Sequence, residues 1–304
     1  MQIILFIAVT LCSCTLVAQP PKPLTYTVNN IILPADFKKQ VCISGIKYYN
    51  DQLYLVSERC PSIFVIDPKT ATITNTISLQ VPQEFEMEGM TSYKDKLYLV
   101  SENIAAVYEV NSKTGIVRPI EISMTLPPKS KDGDGMEGIT ANEKNNKFYL
   151  LQERDENMSK SQIYSFSIEA SKDNSFFTLK YESTIELPLE NPQWRYSDIC
   201  YDSENSRLIC LKSYEKGKLR QQYLESIEID NKGKLLAETL KNIPVENFTE
   251  VSNSYKKDRY SMNLEGITID PGGTIFIVSD NTSGKAQCDR DSKEKTVLLE
   301  LKIK

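Results

Sequence analysis

The hydrophobic and polar positions of this chain repeat as a two-strand pattern at five places. Each copy opens with Glu-Gly-Ile or a close variant, continues through turn-forming residues, and then has an apolar, aromatic run of strand length. The copies begin and end at Ser44 and Glu58, Glu88 and Glu102, Glu137 and Glu153, Ser197 and Ser213, and Glu265 and Asp280. Apolar runs of this length, separated by turn residues, predict five antiparallel β-hairpins.

Two further strand-like runs follow the hairpin in each unit, for example at residues 106–110 and 116–122. Five copies of a four-stranded unit predict an all-β fold, a five-bladed β-propeller. The fifth unit ends after its third strand, at residues 296–303, which would leave a bare sheet edge. We expect the N-terminal residues 24–28 to supply the missing strand and close the ring.

An apolar run at residues 3–18 predicts export. It is too short for a comfortable membrane span and is typical of a signal peptide covering residues 1–18. A lipoprotein signal ending before Cys14 is a second interpretation, and a retained membrane anchor is a third. Residues 19–304 then form a single propeller domain that is extracytoplasmic: secreted, periplasmic or lipid-anchored to the membrane.

The composition limits the kinds of catalytic and metal site that are possible, because the chain contains no histidine. Ser-His-Asp hydrolysis, histidine-ligated zinc and a histidine general base are therefore excluded. The 41 acidic residues exceed the 36 basic ones, giving a net charge of −5, which argues against nucleic acid as a partner. We expect a monomer whose membrane contact, if any, is through a lipid anchor.

The cysteines predict two disulfides if the hairpins are regular. In that register Cys42 lies opposite Cys60, and Cys200 lies opposite Cys210, at separations that a disulfide can bridge. Cys288 is left unpaired. The alternative is four buried thiols that pack as small hydrophobic groups.

Seven acidic residues are predicted to converge at one mouth of the central channel. The start of the first strand and the end of the second meet on the same face of a blade, because the two strands are antiparallel. This brings together Glu88, Glu137, Glu265, Glu102, Glu153, Asp280 and Glu58. Clustered hard oxygen ligands predict a calcium site, to which Asp132 and Asp134 could add. The alternative is that each acid caps its own hairpin and faces water.

Basic residues surround this predicted acidic floor. The candidates for contact with a ligand are Arg59, Arg154, Arg195, Lys256 and Arg259, with Lys129 in a nearby loop. A basic rim above a metal suits a small anionic ligand such as a phosphate ester. The alternative is that these are solvated loop charges.

The Glu-Gly-Ile and Tyr-Leu-Val-Ser-Glu segments resemble the SdiA-regulated, YjiK-like family, above all at residues 263–281. That family lies in a wider phytase-like group with the "esterase-like activity of phytase" proteins. The resemblance implies a five-bladed propeller with bound calcium, or a six-bladed hydrolase relative in the wider group, and five units are counted here. We expect the protein to bind an extracytoplasmic ligand or protein partner. The alternative is a metal-dependent hydrolase of phosphate or carboxylate esters. Whether the protein is an enzyme stays open, because no catalytic residue can be singled out.

Overall fold

The computed structural model describes residues 25–32, 39–82, 85–130, 134–170, 177–217, 219–248, 262–281 and 288–304. Blade 1 contains β2 (Ile43–Tyr49), β3 (Gln52–Ser57), β4 (Ser62–Ile66) and β5 (Ile73–Ser78), and blade 2 contains β6 (Met87–Tyr93), β7 (Lys96–Ser101), β8 (Ala106–Val110) and β9 (Val117–Pro119). Blade 3 contains β11 (Met136–Asn142), β12 (Lys147–Gln152), β13 (Lys160–Ala170) and β14 (Phe177–Pro188), with the short β10 (Glu121–Ile122) beside β14.

Blade 4 contains β15 (Trp194–Asp202), β16 (Arg207–Lys216), β17 (Leu219–Ile229) and β18 (Leu235–Ile243). Blade 5 contains β20 (Leu264–Ile269), β21 (Ile275–Ser279), β22 (Leu298–Ile303) and β1 (Tyr26–Ile32), with the short β19 (Val245–Glu246) beside β1. The first strands pack in the order β2, β6, β11, β15, β20 and back to β2. The predicted five-bladed β-propeller is therefore confirmed.

The hydrophobic core is divided among the interfaces between blades. Alternating strand residues face each neighbouring sheet, and the buried side chains form a cluster at each of the five interfaces. The cluster that joins the last blade to the first contains Leu55 of blade 1 together with Phe276 and Leu298 of blade 5. The ring is thus held by the same kind of apolar contact all the way around.

The N-terminal strand closes the ring, as predicted. β1 pairs antiparallel with β22, from Tyr26 opposite Ile303 to Ile32 opposite Leu298. Tyr26 is fully buried, and its backbone N–H donates to the Pro244 carbonyl at 2.9 Å. The exposed edge that the third strand of blade 5 would otherwise present is covered.

Glycines allow the first strands to approach one another closely. A Cβ added to Gly89 would lie 2.7 Å from the Ile139 nitrogen, and one added to Gly45 would lie 2.3 Å from the Glu88 carbonyl oxygen. Threonine hydroxyls join the same strands. Thr140 accepts the Tyr201 N–H at 3.0 Å, and Thr91 and Thr268 do the same at two other interfaces.

Each first strand has a bulge at the residue that opens the repeat. The register shifts at Ser44, Glu137, Ser197 and Glu265, and across the Glu88-Gly89 pair in blade 2. A bulge inserts an extra residue on one strand and re-aims its side chain. The regular register expected from the sequence is therefore wrong by one residue beyond each bulge.

The predicted Cys200–Cys210 disulfide is wrong for this reason. Cys200 lies opposite Ile209, while Cys210 lies opposite Ile199. Adjacent positions on a strand face opposite sides of the sheet, so Cys200 packs toward blade 5 and Cys210 toward blade 3. Both are buried free thiols, as in the alternative considered above.

The predicted Cys42–Cys60 disulfide is also wrong. β3 ends at Ser57, and Cys60 lies in the turn beyond it, where it bonds to Cys288 with a Cα–Cα distance of 5.7 Å. The expectation that Cys288 is unpaired is thereby overturned. The bridge joins blade 1 to the segment between β21 and β22, across the interface that closes the ring, and Cys42 stays a buried free thiol.

The predicted signal peptide at residues 1–18 lies outside the described residues. In the part of the chain that the structure describes, no helix has the length and hydropathy needed to cross a membrane. Export and lipid anchoring stay predictions.

Candidate functional site

The strand-end acids line one cavity of about 350 Å³ at a mouth of the central channel. Its lining residues are Cys42, Ile43, Ser44, Glu58, Arg59, Glu88, Glu102, Lys129, Asp134, Glu137, Glu153, Arg154, Arg195, Glu265 and Asp280. All seven carboxylates proposed from the sequence are among them. We call this cavity the acidic mouth.

Two backbone features, a β-bulge and a repeated hydrogen bond, position these carboxylates. Glu88, Glu137 and Glu265 stand at the bulges of their first strands, which turns their side chains into the channel. The acids that follow the second strands are fixed by one repeated hydrogen bond, in which their backbone N–H donates to a carbonyl at the start of the first strand. This bond is 2.9 Å long at Glu58, Glu102, Glu153 and Asp280.

On the side of blades 1 and 2, two cationic side chains pair with the acids. Arg59 Nε lies 2.6 Å from a carboxylate oxygen of Glu58, and Arg59 also pairs with Glu86. Lys129 Nζ lies 2.8 Å from Glu86 and also pairs with Glu102. Glu86 was missed from the sequence, although it stands two residues before Glu88 and so at the same end of the blade.

On the other side, Arg195 connects blade 3 to blade 5. Its Nη1 lies 2.7 Å from Glu153, and its Nη2 lies 2.7 Å from Glu265. Arg154 pairs with Asp134 and donates from Nη1 to the Pro192 carbonyl at 2.8 Å. Both guanidinium groups lie within ion-pair distance of Glu153, and each is partly neutralised by the acids that it contacts.

Two central acids have no such partner. Among the described residues, no cationic group lies within ion-pair distance of Glu88 or Glu137, and Glu88 is contacted by the Ser44 hydroxyl. Burial raises the pKa of both carboxyls well above the usual range, and neighbouring acids add to the rise. Oε1 of Glu102 and Oδ2 of Asp134 are also buried without a hydrogen-bond partner in the described part of the chain.

Two acids at the mouth are poised near neutral pH. Burial raises the pKa of Glu102 to about 7, while the Lys129 ammonium opposes the rise. Burial raises the pKa of Glu153 to about 8, against the opposing effect of Arg195. Carboxyls with these pKa values can both hold and release a proton at pH 7, which is what general acid–base chemistry requires.

The donor chemistry fits a hard cation, because the oxygens of Glu102 and Asp134 that accept no hydrogen bond face a cavity that also holds Glu88 and Glu137. Within the described residues, however, no three acidic or cysteine side chains are already gathered as a metal site. A bound cation would therefore need side chains such as Lys129 to shift. Calcium at this mouth stays a prediction.

The basic candidates divide into two groups. Arg59, Arg154 and Arg195 line the acidic mouth, where their contact with a ligand stays a prediction. Lys256 and Arg259, like Asp132, lie outside the described residues.

Cys42 is a wall residue of the mouth rather than half of a disulfide. Its Sγ donates to Glu58 Oε2 at 3.0 Å. Burial raises the pKa of this thiol far above its ordinary value, and the neighbouring acids Asp280 and Glu58 raise it further. The thiol is therefore neutral and unreactive at pH 7.

Comparison with known proteins identifies a family. The sequence matches the Phytase-like family model, described as esterase-like activity of phytase, over residues 41–282. A search of curated proteins found no match. Among solved structures, glutaminyl cyclase from Myxococcus xanthus is similar with a TM-score of 0.51 at 11% identity, covering 93% of this chain and 100% of that chain. The PQQ-bound aldose sugar dehydrogenase from Streptomyces coelicolor gives a TM-score of 0.49 at 11% identity, covering 94% and 100%.

Proposed function

We propose, from the premise that this chain belongs to the phytase-like family described as esterase-like activity of phytase, that it is an exported propeller whose acidic mouth binds calcium and a small anionic ligand. The ligand is extracytoplasmic and is either free or displayed by a protein partner. A place among the SdiA-regulated members of the wider group is part of this proposal, because the Glu-Gly-Ile repeats resemble theirs.

The observation that carries the proposal is the imbalance of charge inside the acidic mouth. Among the described residues, eight carboxyl groups line the cavity against four cationic side chains, and Glu88 and Glu137 receive none of the four. Buried carboxylates without counterions repel one another, so a cation or a proton is needed to neutralise them. Calcium accepts irregular cages of oxygen ligands, and Glu88, Glu137, Glu102 and Asp134 supply such oxygens.

The proposal of an anionic ligand rests on the arginines of the acidic mouth. Arg154 and Arg195 face the same cavity from blades 3 and 4, and their forked donors match carboxylate and phosphate oxygens. A cation that attracts Glu137 and Glu102 reduces the negative potential that would repel an anion from this mouth. Cation and anion then occupy neighbouring parts of one cavity.

Calorimetry on protein from which a chelator has removed any metal, called chelated protein below, tests the proposed binding of calcium. We expect calcium to bind and to stabilise the fold, by about 2.7 kcal/mol at a hundredfold excess over the dissociation constant. Glu137→Gln removes one carboxylate and keeps its shape, so calcium affinity should fall roughly tenfold or more. Glu228→Gln is the matched control, because Glu228 is an exposed acid paired with Lys241 at 2.8 Å, outside the acidic mouth.

The proposal fails if chelated wild-type protein takes up no calcium and its melting temperature ignores both chelator and calcium. It also fails if Glu137→Gln and Glu228→Gln lower calcium affinity equally. In either case the acids would be hairpin caps, as in the alternative drawn from the sequence.

A metal-dependent hydrolase is the second candidate, favoured by the family description and by the two acids that titrate near neutrality. When bound, a cation supplies Lewis acidity at the mouth. In this chain Glu102 or Glu153 would hold the proton for the leaving group, and the arginines would orient the anion. Release of 4-nitrophenol from its phosphate and acetate esters, lost in Glu102→Gln or Glu153→Gln, would support this function, and no turnover with calcium present would exclude it for those esters.

A further inference from the structure

The central channel has a second mouth on the side of the hairpin turns, opposite to the acidic mouth. A cavity of about 540 Å³ opens there, and all five blades contribute to its lining. The lining side chains come from the last residues of the first strands and from the turns that follow them, for example Tyr48, Glu143, Tyr201 and Asp270. We call it the turn-side cavity. Its volume lies within the range of cavities that bind small molecules.

Lys47 lines this cavity from the first strand of blade 1. It stands two residues after Gly45, at the position where blades 2, 3 and 5 have Thr91, Thr140 and Thr268. Each of those threonine hydroxyls accepts a backbone N–H of a neighbouring first strand. A lysine ammonium has no acceptor and cannot make this bond. Blade 1 therefore has an amine in the channel where three other blades have a residue that joins the strands.

The amine of Lys47 is not used to hold the fold together. Within the described part of the chain, it has no hydrogen bond and no carboxylate at ion-pair distance. The groups that act on it electrostatically come from across the ring: Glu143 of blade 3, and Asp198 and Cys200 of blade 4. Both oxygens of Asp198 already accept backbone N–H groups. The half-buried Lys47 side chain thus offers its nitrogen to the cavity.

The surroundings of Lys47 favour a neutral amine. Burial lowers its pKa, because the ammonium loses its hydration, while Cys200, Glu143 and Asp198 act in the opposite direction. The Cys200 thiol is itself kept neutral, since burial raises its pKa well above the usual range. Lys144 lines the same cavity but is exposed to solvent. At pH 7 a larger fraction of Lys47 than of an exposed lysine is therefore unprotonated, which is the form that attacks carbonyl groups.

We propose that the turn-side cavity binds a small neutral aldehyde that carries hydroxyl groups, and that Lys47 forms an imine with it. The lining indicates the class of ligand. Among the described residues, five carboxyl groups line the cavity against the two amines of Lys47 and Lys144. Carboxylates accept hydrogen bonds from hydroxyl groups and repel anions, so a neutral, hydroxyl-bearing molecule suits this lining.

The covalent step needs no group beyond the amine and the aldehyde. The Nζ lone pair attacks the carbonyl carbon and forms a C–N bond, while one amine proton moves to the carbonyl oxygen. The second amine proton then leaves with that hydroxyl group as water, and the C=N bond of the imine remains. One amine and one aldehyde thus give one imine and one water, with no oxidant or reductant.

Reductive trapping on the wild-type protein tests the inference. The protein is incubated with glycolaldehyde and cyanoborohydride at pH 7, and the rate of modification of each lysine is read by peptide mapping in a mass spectrometer. We expect Lys47 to react at least about tenfold faster than Lys144, because each unit by which a lysine pKa is lowered gives about ten times more free amine. The rate at Lys47 should also saturate with aldehyde concentration, whereas the rate at Lys144 should rise linearly.

Two comparisons test the residue and the class of ligand. Lys47→Arg keeps a cation at this position but forms no imine, so the saturable modification should disappear, while the matched control Lys144→Arg should keep it. Glyoxylate is an aldehyde of similar size that carries a carboxylate. We expect it to modify Lys47 several-fold more slowly than glycolaldehyde does, because the acidic lining repels it.

The outcomes are independent of the proposed function, because the turn-side cavity and the acidic mouth lie at opposite ends of the channel. Chelator and calcium should leave the modification of Lys47 unchanged, so a failure to bind calcium would not affect this inference. Modification of Lys47 that is no faster than that of Lys144, or that does not saturate, would overturn it. Glyoxylate reacting as fast as glycolaldehyde would show that the ligand class is wrong.

Discussion

The buried carboxyl groups in two regions of this propeller, the interface between blades 4 and 5 and the acidic mouth, differ in how their oxygens are used. In the interface between blades 4 and 5, Asp198 is buried with both oxygens satisfied: Oδ1 accepts the Ile199 N–H at 2.7 Å and Oδ2 accepts the Ile267 N–H at 2.9 Å. At the acidic mouth, by contrast, Glu102 and Asp134 each bury an oxygen that accepts no hydrogen bond from the described residues.

The difference separates an acid whose hydrogen bonds lie within the fold from the acids that we propose bind a ligand. In three other interfaces a threonine hydroxyl accepts the N–H that joins one first strand to the next. Blade 4 has Cys200 at that position, and Asp198, standing where other blades have glycine, makes the connection instead. Its bonding capacity is used within the fold, whereas the acids of the mouth keep capacity for a ligand.

The largest expected effect on stability comes from removing the hydrogen bonds of Asp198. Asp198→Ala leaves the Ile199 and Ile267 N–H groups buried without an acceptor, which should lower the free energy of unfolding by about 4 kcal/mol. Denaturant unfolding measures the loss. Asp198→Asn keeps one acceptor and should lose about half as much. Equal stability of Asp198→Ala and the wild type would mean that Asp198 does not hold the interface.

A smaller effect on stability comes from the titration of the acids at the acidic mouth. The pKa values of Glu102 and Glu153 are raised to about 7 and about 8, from 4.5. A carboxyl with a raised pKa contributes stability below about pH 4.5 and loses it as the pH rises through the raised value. Chelated protein should therefore be less stable at about pH 8 than at about pH 5.5, and the shift of Glu102 alone corresponds to about 2 kcal/mol.

Thermal melts across this window measure the pH effect, and calcium should remove most of it because it binds the ionised carboxylates. The double variant Glu102→Gln, Glu153→Gln should have a flatter profile than wild type. Stability that rises with pH in chelated protein would contradict the assignment of raised pKa values to the mouth.

The smallest effect tests the threonine interfaces. Thr140→Val removes the acceptor of the Tyr201 N–H without changing the side-chain shape, so unfolding should become easier by about 1 kcal/mol. Thr76→Val is the control, because Thr76 is an exposed residue of β5, where surface substitutions are nearly neutral. If Thr140→Val and Thr76→Val change the free energy of unfolding equally, the threonine hydrogen bonds do not stabilise the contacts between blades.

Much of the site could be anticipated from the repeat, because antiparallel strands of equal length bring their ends to one face. That reasoning placed all seven acids in one cavity. It could not anticipate which acids are neutralised, since the partners of Glu102 and Glu153 come from Lys129 and Arg195, which belong to other units. Contacts between units depend on loop paths, and loop paths leave no periodic signal.

The sequence by itself determined the number of blades, the four-strand unit and the closing role of the N-terminal strand, because hydrophobic periodicity and turn residues act over a few neighbouring positions. The tertiary structure alone decided the register of the strands beyond each bulge and which cysteines form a disulfide. One inserted residue placed Cys200 and Cys210 on opposite faces, and the meeting of the last blade with the first brought Cys288 to Cys60 across 228 positions. A disulfide requires proximity in space, and that proximity exists only once the ring has closed.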